Sequence, residues 1–321
     1  MKTTDYINRD LNYDGSLTIE EYVSRRRDFV PGRFDGKVAI VTGGTSGIGF
    51  SAAQELGREG ARLAITGRNP ETGKKAVEEL EKEGIEVIYF AGDMKDSAFC
   101  KRIADETYLK YGRIDCLVNN AFLFIMHGLD AEDKDWDDAF FTGLVGYARM
   151  IQNVVPYMEK NGGGSIVNVS SISGHIAQTN FWTYSMMKGA VGQLTKCAAL
   201  DLARMNIRVN SISPATIFTR ITSQALYEDD RKARRARMKA EGQGYMLNRA
   251  GEPVECASTI LFLLSDDASY VTGSDYLVDG GFISLGSQGS LQKVYRDREK
   301  YKLEYSDNIM KGLSAYEDEP Y

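Results

Sequence analysis

Residues Lys37 to Gly60 leave this chain little freedom of architecture. Lys37-Val38-Ala39-Ile40-Val41 is a continuous apolar run, the kind of strand that is buried on both faces of a parallel sheet. It passes into Thr42-Gly43-Gly44-Thr45-Ser46-Gly47-Ile48-Gly49 and then into the helical stretch FSAAQELGREG. Strand, glycine loop and helix in that order aim backbone N–H groups and a helix N-terminus at one point, which suits a pyrophosphate. The glycines are spaced G-x-x-x-G-x-G rather than in the G-x-G-x-x-G of the common dinucleotide fingerprint.

The strand–helix alternation continues. Strands are predicted at Arg62–Thr66, Val87–Ala91, Ile114–Val118, from Gly164 through Val169, at Ile207–Ile212 and at Ser274–Val278. Helices are predicted over 71–83 and 97–111, from Trp136 to Lys160, from Tyr184 to Arg204, and at Pro253–Leu264. The second strand ends in Gly67-Arg68-Asn69, where a free ribose 2′-hydroxyl usually meets a carboxylate and a 2′-phosphate wants a cation. Gly67 offers no carboxylate and Arg68 offers a guanidinium, which favours NADP(H) over NAD(H); an ordinary solvated loop arginine is the alternative. Asp93, after the third strand, is placed beside the adenine.

The stretch GSIVNVSSISGHIAQTNFWTYSMMKGA, from Gly164 to Ala190, carries the reactive groups. Tyr184 and Lys188 are spaced i,i+4 and share one helix face. A phenol near pKa 10 exchanges protons poorly at neutral pH, and an ammonium beside it favours the phenolate. Ser171, at the end of the preceding strand, is placed to hold a substrate oxygen in front of the phenol; strand alternation turns Ser170 the other way.

Composition excludes several classes. With 43% hydrophobic and 26% charged residues the chain reads as soluble and globular, and a net charge of -6 offers no nucleic-acid surface. No apolar run approaches the ~18 residues of a membrane span, and MKTTDYINRD lacks the apolar core of a signal peptide, so the expected location is cytoplasmic. Cys100, Cys116, Cys197 and Cys256 are scattered without a C-x-x-C and read as reduced core thiols. His127 and His175 are too few for a histidine-rich metal centre.

Residues 1–30 stand apart from the rest. Asp10, Asn12, Asp14, Gly15, Ser16 and Glu21 fall at positions 1, 3, 5, 6, 7 and 12 of a segment that resembles an EF-hand calcium loop. Asp10, Asn12, Asp14, the Ser16 carbonyl and a bidentate Glu21 are the candidate Ca2+ ligands; an Asx-rich turn capping a helix near Thr18 is the alternative. Pro31-Gly32 marks a linker to a catalytic domain over 31–284. Within it, the charged insertion 217–248 contains RKARRARMK and reads either as a solvated helix face or as a lid over the substrate. The Tyr- and charge-rich tail, 285–321, is assigned order only against another subunit.

TGGTSGIG, Asp93, NNA, a serine thirteen residues before the tyrosine, YSMMK, N-S-I-S-P-A-T and the late Y-V-T-G…V-D-G-G together resemble the classical short-chain dehydrogenases/reductases over roughly residues 36–284. The resemblance implies a three-layer, doubly wound Rossmann α/β fold with a mainly parallel seven-stranded sheet. It implies hydride transfer between a nicotinamide and a substrate carbonyl carbon, with Tyr184 as the proton donor or acceptor. Lys188 would lower the phenol pKa and meet the nicotinamide ribose, and Ser171 would steady the carbonyl oxygen. Gly43, Thr45, Ser46, Gly47, Ile48, Gly49, Arg68, Asp93, Asn120, Ala121, Pro214, Thr216 and Thr219 would line the cofactor site. A homodimer or homotetramer is implied as well.

Three positions depart from the family pattern. Phe122 replaces the glycine of N-N-A-G, Ala215 replaces a glycine after Pro214, and Gly143 stands where an asparagine supports a water relay to the lysine. Proton delivery is expected to use another route, for instance a water held in the space left by Gly143. Phe122, Phe124, Phe181 and Trp182, with Met126, Met186 and Met187, flank the site and predict a bulky apolar or aromatic substrate. The first reading is an NADPH-dependent carbonyl reductase or alcohol dehydrogenase. The others are an acyl-thioester or enoyl reductase, and a low-turnover NADP(H)-binding scaffold or sensor linked to calcium.

Overall fold

A computed structural model describes residues 30–219, 244–247 and 249–285. The EF-hand-like segment with Asp10, Asn12, Asp14, Ser16 and Glu21, nearly all of the 217–248 insertion, and the tail from residue 286 lie outside the described residues.

The strands are β1 (Val38–Val41), β2 (Arg62–Gly67), β3 (Val87–Ala91), β4 (Cys116–Asn119), β5 (Gly164–Val169), β6 (Ile207–Pro214) and β7 (Asp275–Val278). They form one sheet in the order β3-β2-β1-β4-β5-β6-β7. Every pairing is parallel, so the sheet is wholly rather than mainly parallel. The helices are α1 (Gly47–Arg58), α2 (Pro70–Lys82), α3 (Ser97–Tyr111), α4 (Asp133–Phe140), α5 (Gly146–Lys160), α6 (Trp182–Leu202), α7 (Pro253–Leu264) and the short α8 (Phe282–Leu285).

Strand alternation divides the core in two. Ala39, Val41, Leu63, Ile65, Val118, Val167 and Ile212 face α1, α2 and α7, where Ala53, Leu56, Leu80, Ile260 and Leu261 meet them. Ile40, Ala64, Leu117, Ile166 and Val209 face α3, α5 and α6, against Ile103, Met150, Val154, Met158 and Leu202. Each such side chain, fully removed from water, contributes roughly 1.5–3 kcal/mol, which is why both faces carry near-continuous apolar strands. This is the doubly wound Rossmann arrangement, with the strands' carboxyl ends gathered at one edge.

The chain enters at the opposite edge. Glu59, 2% exposed, accepts hydrogen bonds from Val30 N (3.0 Å) and from Arg33 Nε and Nη2 (2.6 and 2.9 Å), while its carbonyl accepts Phe34 N at 2.8 Å. Phe34 is itself buried in the core.

Two local expectations change. The helix predicted from Trp136 to Lys160 starts earlier, at Asp133, and is broken by a π-helical turn at Phe141–Val145, where Gly146 N donates to Phe141 O. Of the four cysteines, Cys100, Cys116 and Cys256 are buried thiols, but Cys197 lies exposed on α6. No helix among the described residues is long and apolar enough to cross a membrane.

Candidate active site

The carboxyl ends of β1, β2, β4, β5 and β6 open into a cavity of about 480 Å³. Its floor is the glycine loop. Gly43 and Gly47 have φ of 64° and 57°, left-handed conformations that glycine adopts without strain. A Cβ on Gly49 would stand 2.3 Å from Gly43 O and 2.4 Å from Asn120 Nδ2, so α1 starts against the loop only because that residue has no side chain. Asn120 clamps the loop by donating to Thr42 O (3.0 Å) and Gly43 O (3.1 Å), and Thr42 Oγ1 accepts Asn120 N and Ala121 N. Thr66 Oγ1 accepts Gly43 N. The first turn of α1 holds no acidic side chain and Ser46 does not cap it, which leaves its N–H groups turned toward an anion.

Gly43, Thr45, Ser46, Gly47, Ile48, Arg68, Asp93, Asn120, Ala121, Pro214, Thr216 and Thr219 all line the cavity. Gly49 serves it by the close packing just described. A Cβ at Gly67 would stand 2.8 Å from Thr45 Oγ1, so an acidic side chain there would have to displace Thr45. Arg68 is exposed and makes no ion pair among the described residues. Thr216 Oγ1 is engaged by Tyr245 OH at 2.8 Å. A dinucleotide fits this donor set: a cradle that a Cβ would fill, an uncapped helix N-terminus, and the buried Thr142 Oγ1, which lines the same cavity with no hydrogen-bond partner.

At the end of β5, Ser171 Oγ accepts Ser173 N at 3.1 Å and faces the cavity. Ser170, which also lines the cavity, donates its Oγ hydrogen to Lys188 O at 2.8 Å and ties the strand to α6. Tyr184 is 6% exposed and lines the cavity; burial pushes its phenol up to about 12, opposed by hydrogen bonding from Ser171. Lys188 is 1% exposed and its Nζ donates to Val169 O at 2.7 Å. Burial alone drives its ammonium down to about 7. The sequence reading has Lys188 lowering the Tyr184 phenol. Without ligand the dominant influence on both groups is loss of water, and it favours their neutral forms.

Aromatic rings surround the phenol. The centroids of Phe122, Phe124 and Phe181 lie 5.8, 5.0 and 6.3 Å from that of Tyr184, and all three line the cavity. Trp182 does not: as the first residue of α6 it is 47% exposed and lies outside the cavity lining. Met186 is likewise exposed. Met187 is fully buried, and its Sδ lies 2.7 Å from where a Gly143 Cβ would be. The methionine therefore packs directly against the position that glycine leaves without a side chain.

Sequence reasoning missed Thr142, Gln178 and Tyr147. Gln178 lines the cavity with a buried Oε1 that has no partner. Tyr147 is fully buried and donates to Val169 O at 3.4 Å, the carbonyl that also receives Lys188. The i,i+4 step from Gly143 to Tyr147 was the available signal for the last.

Residues 43–283 match a protein-family model described as enoyl-(acyl carrier protein) reductase. Among curated proteins, dehydrogenase/reductase SDR family member 4 of Caenorhabditis elegans is 36% identical over 252 residues, covering 78% of this chain and 96% of that protein. A cyclopentanol dehydrogenase of Comamonas testosteroni is also 36% identical over 252 residues, with 78% and 98% covered. Among solved structures, a short-chain type dehydrogenase/reductase from Mycobacterium ulcerans superposes with a TM-score of 0.71 at 32% identity, covering 78% of this chain and 91% of that one. A 7α-hydroxysteroid dehydrogenase complexed with NADH and 7-oxo glycochenodeoxycholic acid gives 0.72 at 30% identity, with 78% and 95% covered.

Proposed function

This chain belongs to the short-chain dehydrogenase/reductase family, and from that premise we propose that it is an NADPH-dependent carbonyl reductase acting on a bulky, apolar ketone. The observation that carries the reading is the meeting of Ser171 and Tyr184 on the wall of a cavity whose floor is a nucleotide-fitting glycine loop, with Lys188 buried one helical turn behind the phenol.

When bound, the nicotinamide supplies a hydride to the carbonyl carbon. The chain supplies the rest. The glycine loop and the α1 N-terminus hold the pyrophosphate, and Arg68 meets a 2′-phosphate. Ser171 Oγ donates a hydrogen bond to the carbonyl oxygen and polarises it. Tyr184, protonated throughout the neutral range because burial holds it near 12, gives its proton to that oxygen as charge develops. The charged form of Lys188 stabilises the phenolate left behind. A buried phenol with a raised pKa is prepared for reduction; alcohol oxidation must begin from the phenolate.

Phe122, Phe124 and Phe181 give the cleft its apolar walls, and two similar proteins point the same way by name, the cyclopentanol dehydrogenase and the hydroxysteroid dehydrogenase. The latter was solved with NADH, so the NADP(H) preference rests on Gly67 and Arg68 of this chain alone. A second reading, reduction of an acyl thioester or activated C=C bond, draws on the description of the matching family model. Two hydroxyl groups converging on one oxygen favour the carbonyl.

The test is NADPH oxidation with a panel of alicyclic and aromatic ketones, in wild type and Tyr184→Phe. The variant should lose at least ~100-fold in kcat, the scale of a lost general acid. Full activity in Tyr184→Phe would refute the mechanism, and turnover of enoyl thioesters alone would select the second reading.

A further inference from the structure

Lys188 is a buried lysine with no carboxylate partner among the described residues. Among the described residues its Nζ has one hydrogen-bond acceptor, Val169 O at 2.7 Å, and burial drives its ammonium down to about 7. The titratable groups packed around it are two phenols, Tyr184 on its own helix and Tyr147 on α5, whose ring centroids each lie 5.8 Å from Nζ; no carboxylate faces it. Both phenols are held protonated by burial through the neutral range. The nearest ring is Phe122, on the loop after β4, with its centroid 4.3 Å from Nζ. That is close to optimal for an ammonium over the negative face of a benzene ring, and the attraction is strongest where water is excluded.

We propose that Phe122 is a positioning residue for Lys188: its ring face holds the ammonium against Val169 O and beside Tyr184, stabilising a buried charge that faces no carboxylate among the described residues. Four observations agree. The residue stands where the family pattern has glycine, and the asparagine position is Gly143. Met187 crowds Gly143, its Sδ 2.7 Å from where a Cβ there would stand. Phe122 touches both members of the pair, with its centroid 5.8 Å from that of Tyr184. Lys188, although buried directly behind the cavity, does not line it, while Phe122 does. The ring faces both the ammonium and the cleft, and the aromatic wall assigned to substrate binding serves the lysine as well.

The proposal rests on Lys188 acting as a cation beside Tyr184, so its test is made first on the ligand-free protein, where turnover plays no part. Denaturant unfolding of wild type, Phe122→Leu, Lys188→Met and the double variant forms a thermodynamic cycle, run at pH 6 and at pH 9. Coupling between the two positions is expected at pH 6, where the lysine is charged, and its loss at pH 9, where it is neutral. Equal coupling at both pH values, or none at pH 6, overturns the proposal, because simple packing does not sense charge. The second readout is the pH profile of kcat/KM for NADPH. Phe122→Leu should move the alkaline limb down by roughly one pH unit, about tenfold in the lysine protonation constant, and Phe122→Tyr should restore it. An unshifted limb in Phe122→Leu refutes the role of the ring. If Tyr184→Phe retains activity while the cycle still shows charge-dependent coupling, the carbonyl mechanism fails and the Phe122–Lys188 contact stands.

Discussion

Replacing Lys188 by methionine removes a buried charge while nearly conserving shape, and its effect on stability should depend on pH in a calculable way. The lysine falls from 10.5 in the unfolded chain to about 7 in the fold, driven by burial. Between those values the unfolded chain keeps the proton and the folded chain has released it, so stability rises with pH across that window. At 1.36 kcal/mol per pH unit the whole interval corresponds to about 5 kcal/mol, and the part between pH 6 and pH 9 to about 3 kcal/mol. Lys188→Met lacks this slope. Its loss of the hydrogen bond to Val169 O is a pH-independent offset of about 1 kcal/mol, softened because Tyr147 OH still reaches that carbonyl. Unfolding free energies measured for both proteins in guanidinium at pH 6, 7, 8 and 9, followed by the fluorescence of Trp136 and Trp182, give the difference directly. The stability of the variant relative to wild type should fall by about 3 kcal/mol from pH 6 to pH 9. A difference constant over that range would mean that the lysine stays fully charged in the fold and that burial does not govern it.

Three further outcomes test the site. Gly143→Asn, which restores the family residue, should destabilise the chain by about 1–3 kcal/mol because a Cβ there meets Met187 Sδ at 2.7 Å, and adding Met187→Ala should recover most of the loss in thermal melts. Arg68→Ala should raise the KM for NADPH by roughly tenfold or more and leave that for NADH within about twofold; equal effects would remove the 2′-phosphate assignment. Gly49→Ala drives a Cβ to within 2.3 Å of Gly43 O, and loss of NADPH quenching without unfolding by circular dichroism is the expected result. Wild-type affinity in that variant would show that the loop is not the nucleotide floor.

The fold was legible because its strands are buried on both faces. Val38–Val41 and Ile166–Val169 carry a signal that no amphipathic helix imitates, and Gly43 with Gly47 punctuates the first turn. The meeting of Ser171 and Tyr184 at the cavity was legible because a strand end and a helix face preserve their sequence spacing. The rest depended on three-dimensional neighbours. Gly143 reads as a vacancy until Met187, forty-four residues away, is seen to pack against it. Phe122 reads as a substrate wall until Lys188 is found beneath its ring. Trp182 and Phe181 are adjacent and equally aromatic, and only the start of α6 between them decides which one faces the cleft. The protonation of Lys188 follows from burial, which spacing does not report.

The anchor at Glu59 separates two ends of the molecule. It grips Val30, Arg33 and Phe34 at the amino ends of the parallel strands, whereas the reactive groups stand at the carboxyl ends. Four residues of β1 at about 3.3 Å each set the two poles roughly 13 Å apart through a packed sheet. Val30, the first described residue, is therefore held on the far side of the sheet from the cavity mouth. A surface coupling or an affinity handle joined at that clamp would leave from the pole opposite the cavity, a convenient polarity for immobilisation.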